Sequence, residues 1–94
     1  MSDEQDFNTV EPEPTQAINL LTYLGHSMVS SNEEVEVEWT RSGNAVKFTV
    51  YVPSADMGKV IGKGGRIANA IRTLVRVAGA KDGVETSVEF SEAR

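Results

Sequence analysis

A four-residue segment, Gly62-Lys63-Gly64-Gly65, separates two segments that both carry apolar residues at helical spacing. Glycine is a poor helix former, because its backbone loses more conformational freedom on folding than that of any other residue. One continuous helix through three glycines in four positions is therefore excluded. The pattern instead predicts a short helix that ends at Gly62, a tight corner, and a second helix that begins near Arg66.

Each of the two predicted helices has one apolar side. Met57, Val60 and Ile61 share one side of the short helix. We expect Ser54 to cap this helix and Asp56 to favour its positive end. On the longer helix the apolar positions are spaced i, i+3, i+4, i+7 and i+11, which predicts one buried side. That side consists of Ile67, Ala70, Ile71, Leu74 and Ala78.

Three segments alternate apolar and polar residues with a period of two, which is typical of half-buried strands. They are residues 34–40 (EVEVEWT), 45–52 (AVKFTVYV) and 84–90 (VETSVEF). The first two are separated by RSGN, a sequence that favours a turn, so we expect them to pair as a hairpin.

A further amphipathic helix is predicted before the first strand, over TQAINLLTYLGHSMVS, with Thr15 as its N-cap. Residues 1–14 are acidic and end in EPEP, which opposes helix formation, so we expect a disordered acidic tail there. The predicted order is α-β-β-α-α-β, an α+β domain with a three-stranded sheet and helices packed on one face. We expect one domain over residues 15–91 and a short C-terminal tail over residues 92–94.

The charges are unevenly distributed along the chain. The net charge is −5, yet residues 41–81 contain eight basic residues and one acidic residue, whereas residues 1–40 contain nine acidic residues and no Lys or Arg. This asymmetry predicts one basic face on an otherwise acidic body. The alternative is that folding mixes the two signs over the whole surface.

Several classes of function are excluded or disfavoured by composition. The chain has no cysteine, and His26 is its single histidine, so we expect no disulfide, no metal site and no cofactor. No nucleophile and base occur in a recognisable catalytic pattern, so we do not expect an enzyme. The N-terminal residues lack the pattern of a secretory signal, and no apolar run is long enough to span a membrane, so we expect a cytoplasmic protein.

Two common phosphate-binding loops do not fit the glycine segment. A Walker A loop needs Ser or Thr after its Gly-Lys pair, but the two Gly-Lys pairs here are followed by Val60 and Gly64. A dinucleotide-binding loop follows a strand and needs Gly or Ala at position 67, which is isoleucine. The segment is therefore interpreted as a corner between two helices.

Such a corner can hold a sugar-phosphate backbone. Glycines allow a ligand to approach the main chain closely, and the next helix presents free N–H groups at its start. Cationic side chains surround this point, and aliphatic side chains beside it can contact the faces of bases. The predicted nucleic-acid-binding residues are Val60, Ile61, Gly62, Lys63, Gly64, Gly65, Arg66 and Ile67, with weaker candidates at Lys59, Arg72 and Arg76.

The sequence VIGKGGRIANAIR resembles the Ile-Gly-x-x-Gly-x-x-Ile motif of KH domains, the loop by which these domains clamp single-stranded RNA. The predicted element order is similar to the type II KH arrangement. Over roughly residues 15–90 the chain resembles the small bacterial single-KH-domain proteins of the KhpA family. The resemblance implies RNA binding without catalysis and a role in post-transcriptional regulation. It also implies pairing, as a homodimer or with a KhpB (Jag-type) RNA-binding protein.

A second interpretation of the same surface stays open. Ile61 and Ile67 flank the glycine corner, and exposed aliphatic side chains also occur where two proteins associate. The domain would then be an interaction or dimerisation module with little RNA binding of its own.

Overall fold

The computed structural model describes residues 13–29 and 35–93. Helix α1 (Thr15–Met28) precedes a hairpin of strands β1 (Glu36–Ser42) and β2 (Ala45–Val52). Two helices follow, α2 (Met57–Ile61) and α3 (Arg66–Lys81), with 3-10 turns at Ser54–Asp56 and Lys63–Gly65. Strand β3 (Glu85–Glu92) is last. The predicted order α-β-β-α-α-β is confirmed.

The three strands form one mixed sheet in the order β1-β2-β3. β1 and β2 are antiparallel, with Trp39 opposite Phe48, and β2 and β3 are parallel, with Phe48 opposite Val88. A parallel pair needs a long crossover, which α2 and α3 provide here. The fold is therefore the predicted three-stranded α+β arrangement of a type II KH domain.

The core lies between the sheet and the helices. Alternate residues of β2 are buried, as the period of two predicts, and they pack against apolar side chains of α1, α2 and α3. The largest fully buried side chains include those of Leu21, Phe48, Val50, Val60 and Val75. The helices thus cover one face of the sheet, and the other face carries the polar alternate residues.

The buried side of α3 differs from the predicted one. Its buried residues are Ala68, Ile71, Val75 and Gly79. Of the predicted side, Ile67, Ala70 and Leu74 are exposed. The prediction was wrong for these three because apolar residues lie on two sides of α3, and spacing alone does not show which side packs on the sheet. A β-carbon on Gly79 would collide with Thr86 Cγ2, so the helix packs through its small residues, which allow it to approach β3.

Two predicted helix caps were also wrong. Thr15 is the first residue of α1, and the hydroxyl of Ser54 caps no helix. The first turn of α1 is instead capped from the far end of the domain. The Asp82 carboxylate, just after α3, accepts hydrogen bonds from the backbone N–H groups of Gln16 (3.3 Å) and Ala17 (3.1 Å).

The strand limits differ slightly from the predicted ones. β1 begins at Glu36 and extends through Ser42, so the turn of the hairpin is shorter than RSGN. Glu34 and residues 1–12 of the predicted tail over residues 1–14 lie outside the described residues. Pro14, the last residue of that tail, is fully buried, whereas Glu13 is exposed. No helix in the described ranges is long and apolar enough to cross a membrane.

Candidate nucleic-acid interface

The corner between α2 and α3 uses a positive φ at each of its three glycines. The φ angles are +76° at Gly62, +64° at Gly64 and +78° at Gly65. Residues with a β-carbon rarely adopt this conformation, which explains why three glycines are needed where one or two suffice for an ordinary turn. The Gly65 N–H donates to the Gly62 carbonyl (3.1 Å) and closes the turn.

The three glycines differ in what lies around them. A β-carbon on Gly62 would lie 2.6 Å from Ile67 Cγ1, so the isoleucine side chain packs directly over the backbone of the corner. A β-carbon on Gly64 or Gly65 would meet nothing within 4 Å. The backbone at Gly64 and Gly65 is therefore open to an approaching ligand.

The start of α3 adds charge and polarity to this open backbone. Its N-cap is Gly65, which offers no side-chain acceptor for the first N–H groups of the helix. Lys63 and Arg66 are exposed, and neither has an ion-pair partner within the described ranges. The helix start and two unpaired cations together favour an anion at this corner.

Lys59 occupies a different environment from Lys63 and Arg66. Its ammonium lies 3.1 Å from the carboxylate of Asp56, which is 4% exposed and is the buried acidic residue at the start of α2. A buried carboxylate needs such a partner, because leaving it unpaired is costly. Lys59 therefore has a structural role that the sequence did not indicate.

The aliphatic candidates divide into one exposed and two more buried residues. Val60 is 1% exposed and belongs to the core, so it supports the corner from beneath and offers no surface to a ligand. Ile61 is half-buried against the core, and Ile67 is 39% exposed. In the motif Ile-Gly-x-x-Gly-x-x-Ile the final isoleucine would fall at position 68, which is the buried Ala68. Ile67 thus lies one residue before that position, and the part of its side chain that does not pack over Gly62 is exposed.

A polar groove extends from α3 toward the β3 edge of the sheet, and sequence reasoning did not find it. It is lined by Arg72, Arg76, Thr86, Ser87 and Val88. Thr86 and Ser87 lie on the predicted third strand, where successive side chains alternate between the two faces of the sheet. Thr86 faces α3 and packs against Gly79, whereas Ser87 is exposed on the other face, so the groove follows from packing that the strand pattern alone does not specify. The groove brings the two weaker candidates, Arg72 and Arg76, onto one surface.

Arg72 and Arg76 differ in how far they are already engaged. The Arg72 guanidinium donates from Nε to the Val88 carbonyl (3.0 Å) and from Nη1 to Asn69 Oδ1 (3.0 Å). It also lies 5.7 Å from the centroid of the Phe90 ring. Arg76 is exposed, and no such contact is found for it among the described residues. Arg76 is the better placed of the two to contact a ligand.

The charges are separated between the two layers of the domain. The corner and α3 carry exposed cations at Lys63, Arg66, Arg76 and Lys81. The outer face of the sheet carries carboxylates at Glu36, Glu38, Glu85 and Glu89, with Lys47 among them and 3.3 Å from Glu89. Within the described residues, a basic helical layer opposite an acidic sheet face agrees with the predicted segregation.

Comparison with known proteins adds independent information. The family described as KhpA/KhpB, KH domain, matches residues 18–90. An RNA-binding protein KhpA from Chlamydia trachomatis is 36% identical over 79% of this chain and 95% of its own length. Proteins of the same name from Clostridium acetobutylicum and Listeria monocytogenes are 40% and 38% identical, over 76% and 78% of this chain and 95% and 96% of their own lengths.

Proposed function

The chain belongs to the KhpA/KhpB family of KH domains, and we propose that it binds single-stranded RNA through the corner between α2 and α3. Its relatives are named RNA-binding proteins, and the chain is a binding domain, not an enzyme. The observation that supports this site best is the open backbone of Gly64 and Gly65 between two cations, Lys63 and Arg66, that form no ion pair with the rest of the described chain.

In the proposed complex the corner holds the phosphates. Lys63 and Arg66 neutralise the sugar-phosphate backbone, and the open glycines let it approach the start of α3. The bases then lie against Ile61 and Ile67 and continue along the groove past Arg76. No aromatic side chain lines this path in the described structure, so base contact is aliphatic and polar instead of ring stacking.

The size of the site limits the affinity of one domain. If three or four phosphates are neutralised, the slope of log K against log salt is about −2 to −3 for a single strand. Binding by so few contacts is commonly strengthened by joining two modules, which raises the effective concentration of the second site. We therefore propose that the domain acts as a pair, with a second copy or with a KhpB-type protein, in cytoplasmic post-transcriptional regulation.

The test is a titration of fluorescent single-stranded RNA into the wild type and a Lys63→Asp/Gly64→Asp variant. Aspartate is among the residues that best tolerate positive φ, so the corner keeps its shape while its charge reverses. We expect affinity to fall by at least tenfold at low salt. Circular dichroism establishes that the variant is folded.

The hairpin turn offers a matched control. Gly43 has a φ of +61° and open space around it, as Gly64 has, and Lys47 lies on the acidic outer face of the sheet. A Lys47→Asp/Gly43→Asp variant therefore introduces the same charge change and the same backbone strain far from the corner. RNA binding equal to that of the wild type supports the proposed site, whereas equal loss in both variants contradicts it.

The alternative function, an interaction module with little RNA binding, is favoured by one observation. Ile67 is exposed beside two further exposed apolar side chains of α3, Leu74 and Val77. Ile67→Asp would then break self-association, measured by analytical ultracentrifugation, while Lys63→Asp and added salt would leave it intact. RNA binding that weakens with added salt and with Lys63→Asp would favour the RNA-binding function over the interaction module.

A further inference from the structure

The solvent-facing side of α3 carries an apolar strip that has no use in the proposed RNA site. Leu74 is 50% exposed and Val77 is 56% exposed, three residues apart on the same side of the helix. Arg72 lies two residues before Leu74 and therefore points to the other side, toward β3. The apolar strip, Leu74 and Val77, is thus separate from the groove.

Cations lie at both ends of the apolar strip. Lys81 follows Val77 by four residues, and Arg66 precedes it by eleven, close to three turns, so both lie on the same side of α3 as the strip. Both are exposed and neither has an ion-pair partner in the described part of the chain. Read from the C-terminal end, this side presents a cation, the two apolar residues of the strip, the exposed Ile67 and a cation.

The chain enters the domain beside the C-terminal end of this helix. The N–H groups of Gln16 and Ala17 donate to the Asp82 carboxylate, which directly follows α3. Pro14 is buried there, whereas Glu13 is exposed. The described chain therefore begins near Asp82, the residue that follows Lys81.

The acidic segment, residues 1–12, has complementary chemistry. Read back from Glu13, it offers a carboxylate, two apolar residues and three carboxylates, and it contains no Lys or Arg. These residues are Glu11, Val10, Phe7, Asp6, Glu4 and Asp3. Along α3 from Lys81 to Arg66 apolar residues likewise lie between charged ones, and the charges have the opposite sign.

The lengths also agree. Lys81 and Arg66 are fifteen residues apart, which is about 22 Å along a helix. Twelve residues can span at most about 40 Å when extended. The acidic segment can therefore reach the whole strip and continue to Lys63.

We propose that residues 1–12 dock on the exposed side of α3, with Val10 and Phe7 on the apolar strip and the carboxylates on Lys81, Arg66 and Lys63. Exposed ion pairs are individually weak, but a tethered segment acts at an effective concentration in the millimolar range. The docked carboxylates occupy the cations that RNA phosphates need. The segment is then a built-in competitor for the clamp, a regulatory role that rests on the proposed function.

Docking itself is tested without RNA. The chain has no cysteine, so Asn8→Cys gives one position for a spin label in the full-length protein. We expect the label to broaden the amide signals of Leu74 and Val77 and to leave those of Lys47 and Glu89 sharp. Broadening confined to the neighbours of Glu13, or found on the outer sheet face, overturns the proposal.

A mixed sample shows whether the segment that docks on α3 belongs to the same chain or to a second copy. Isotope-labelled chains without a spin label are combined with unlabelled chains that carry one. Broadening of α3 signals in this mixture places a second copy on the apolar strip and overturns docking within one chain. Sharp α3 signals in the mixture, with broadening in the singly labelled sample, support it.

The effect on RNA is measured with a neutralised segment, Asp3→Asn/Glu4→Gln/Asp6→Asn/Glu11→Gln. We expect it to bind RNA about tenfold more tightly than the wild type at low salt. Glu36→Gln/Glu38→Gln/Glu85→Gln/Glu89→Gln changes the net charge equally on the opposite face and should alter affinity by less than twofold. Equal gains in both variants contradict competition. Spin-label broadening in a protein that binds no RNA would contradict the proposed RNA site but would still support docking of the acidic segment.

Discussion

The two ends of α3 both depend on glycine, and they differ in what surrounds it. At the C-terminal end Gly79 is buried, and a β-carbon there would collide with Thr86. At the N-terminal end Gly64 and Gly65 face open space. Glycine brings two elements together in the first case and keeps the backbone accessible in the second. The C-terminal end therefore anchors the helix, and the N-terminal end is free to bind.

The largest expected effect is a loss of folding stability, caused by a substitution at the anchored C-terminal end of α3. Gly79→Val forces a branched side chain into the contact with Thr86, and overpacking of this kind costs about 3 kcal/mol of folding free energy. Chemical denaturation measures the loss. Ala80→Val is the control, since it places the same valine at the next, exposed position of α3 and should cost less than about 1 kcal/mol. Equal losses would mean that valine in the helix, and not the contact, is responsible.

A substitution at the open N-terminal end of α3 should change RNA affinity and not the free energy of unfolding. Arg66→Glu places the opposite charge at the start of α3, and we expect RNA affinity to fall by about tenfold, or about 1.4 kcal/mol. The free energy of unfolding should change by less than about 0.5 kcal/mol, because Arg66 is exposed. Lys47→Glu on the outer sheet face is the matched control. A stability loss that parallels the binding loss would contradict the division between the two ends.

A smaller effect is expected at the junction of α1 and α3. Asp82→Ala removes the carboxylate that accepts hydrogen bonds from the Gln16 and Ala17 N–H groups, and loss of a cap costs about 1 kcal/mol. Asp82→Asn keeps an acceptor and should retain most of the stability in the same denaturation measurement. If the alanine and asparagine variants are equally destabilised, the charge of Asp82 matters more than its hydrogen bonds.

Periodicity and glycine placement predicted most of the architecture. The strand over residues 45–52 was predicted with its observed limits, and the corner between two helices follows from three glycines in four positions. The side of α3 that packs on the sheet was predicted wrongly, because α3 has apolar residues on two sides. Leu74 looked like core by its size, and Gly79 carried no apolar signal at all.

The candidate site was predicted only in part, because some of it depends on packing between segments that are distant in the sequence. The sequence locates the corner, Lys63 and Arg66, since these are properties of one local segment. It does not show that Val60 is buried, that Lys59 pairs with Asp56, or that Arg72 is engaged by β3. Each of these depends on a residue or an element whose position the local pattern does not specify.

The sequence by itself determined the order of the elements, the glycine corner and the segregation of charge along the chain. These features follow from local conformational preference and from the period of apolar residues. The tertiary structure alone decided which side of α3 is buried and that Asp82 caps a helix 65 residues earlier. Packing sums contacts from distant segments, so a close approach through small residues can outweigh the burial of a larger side chain nearby.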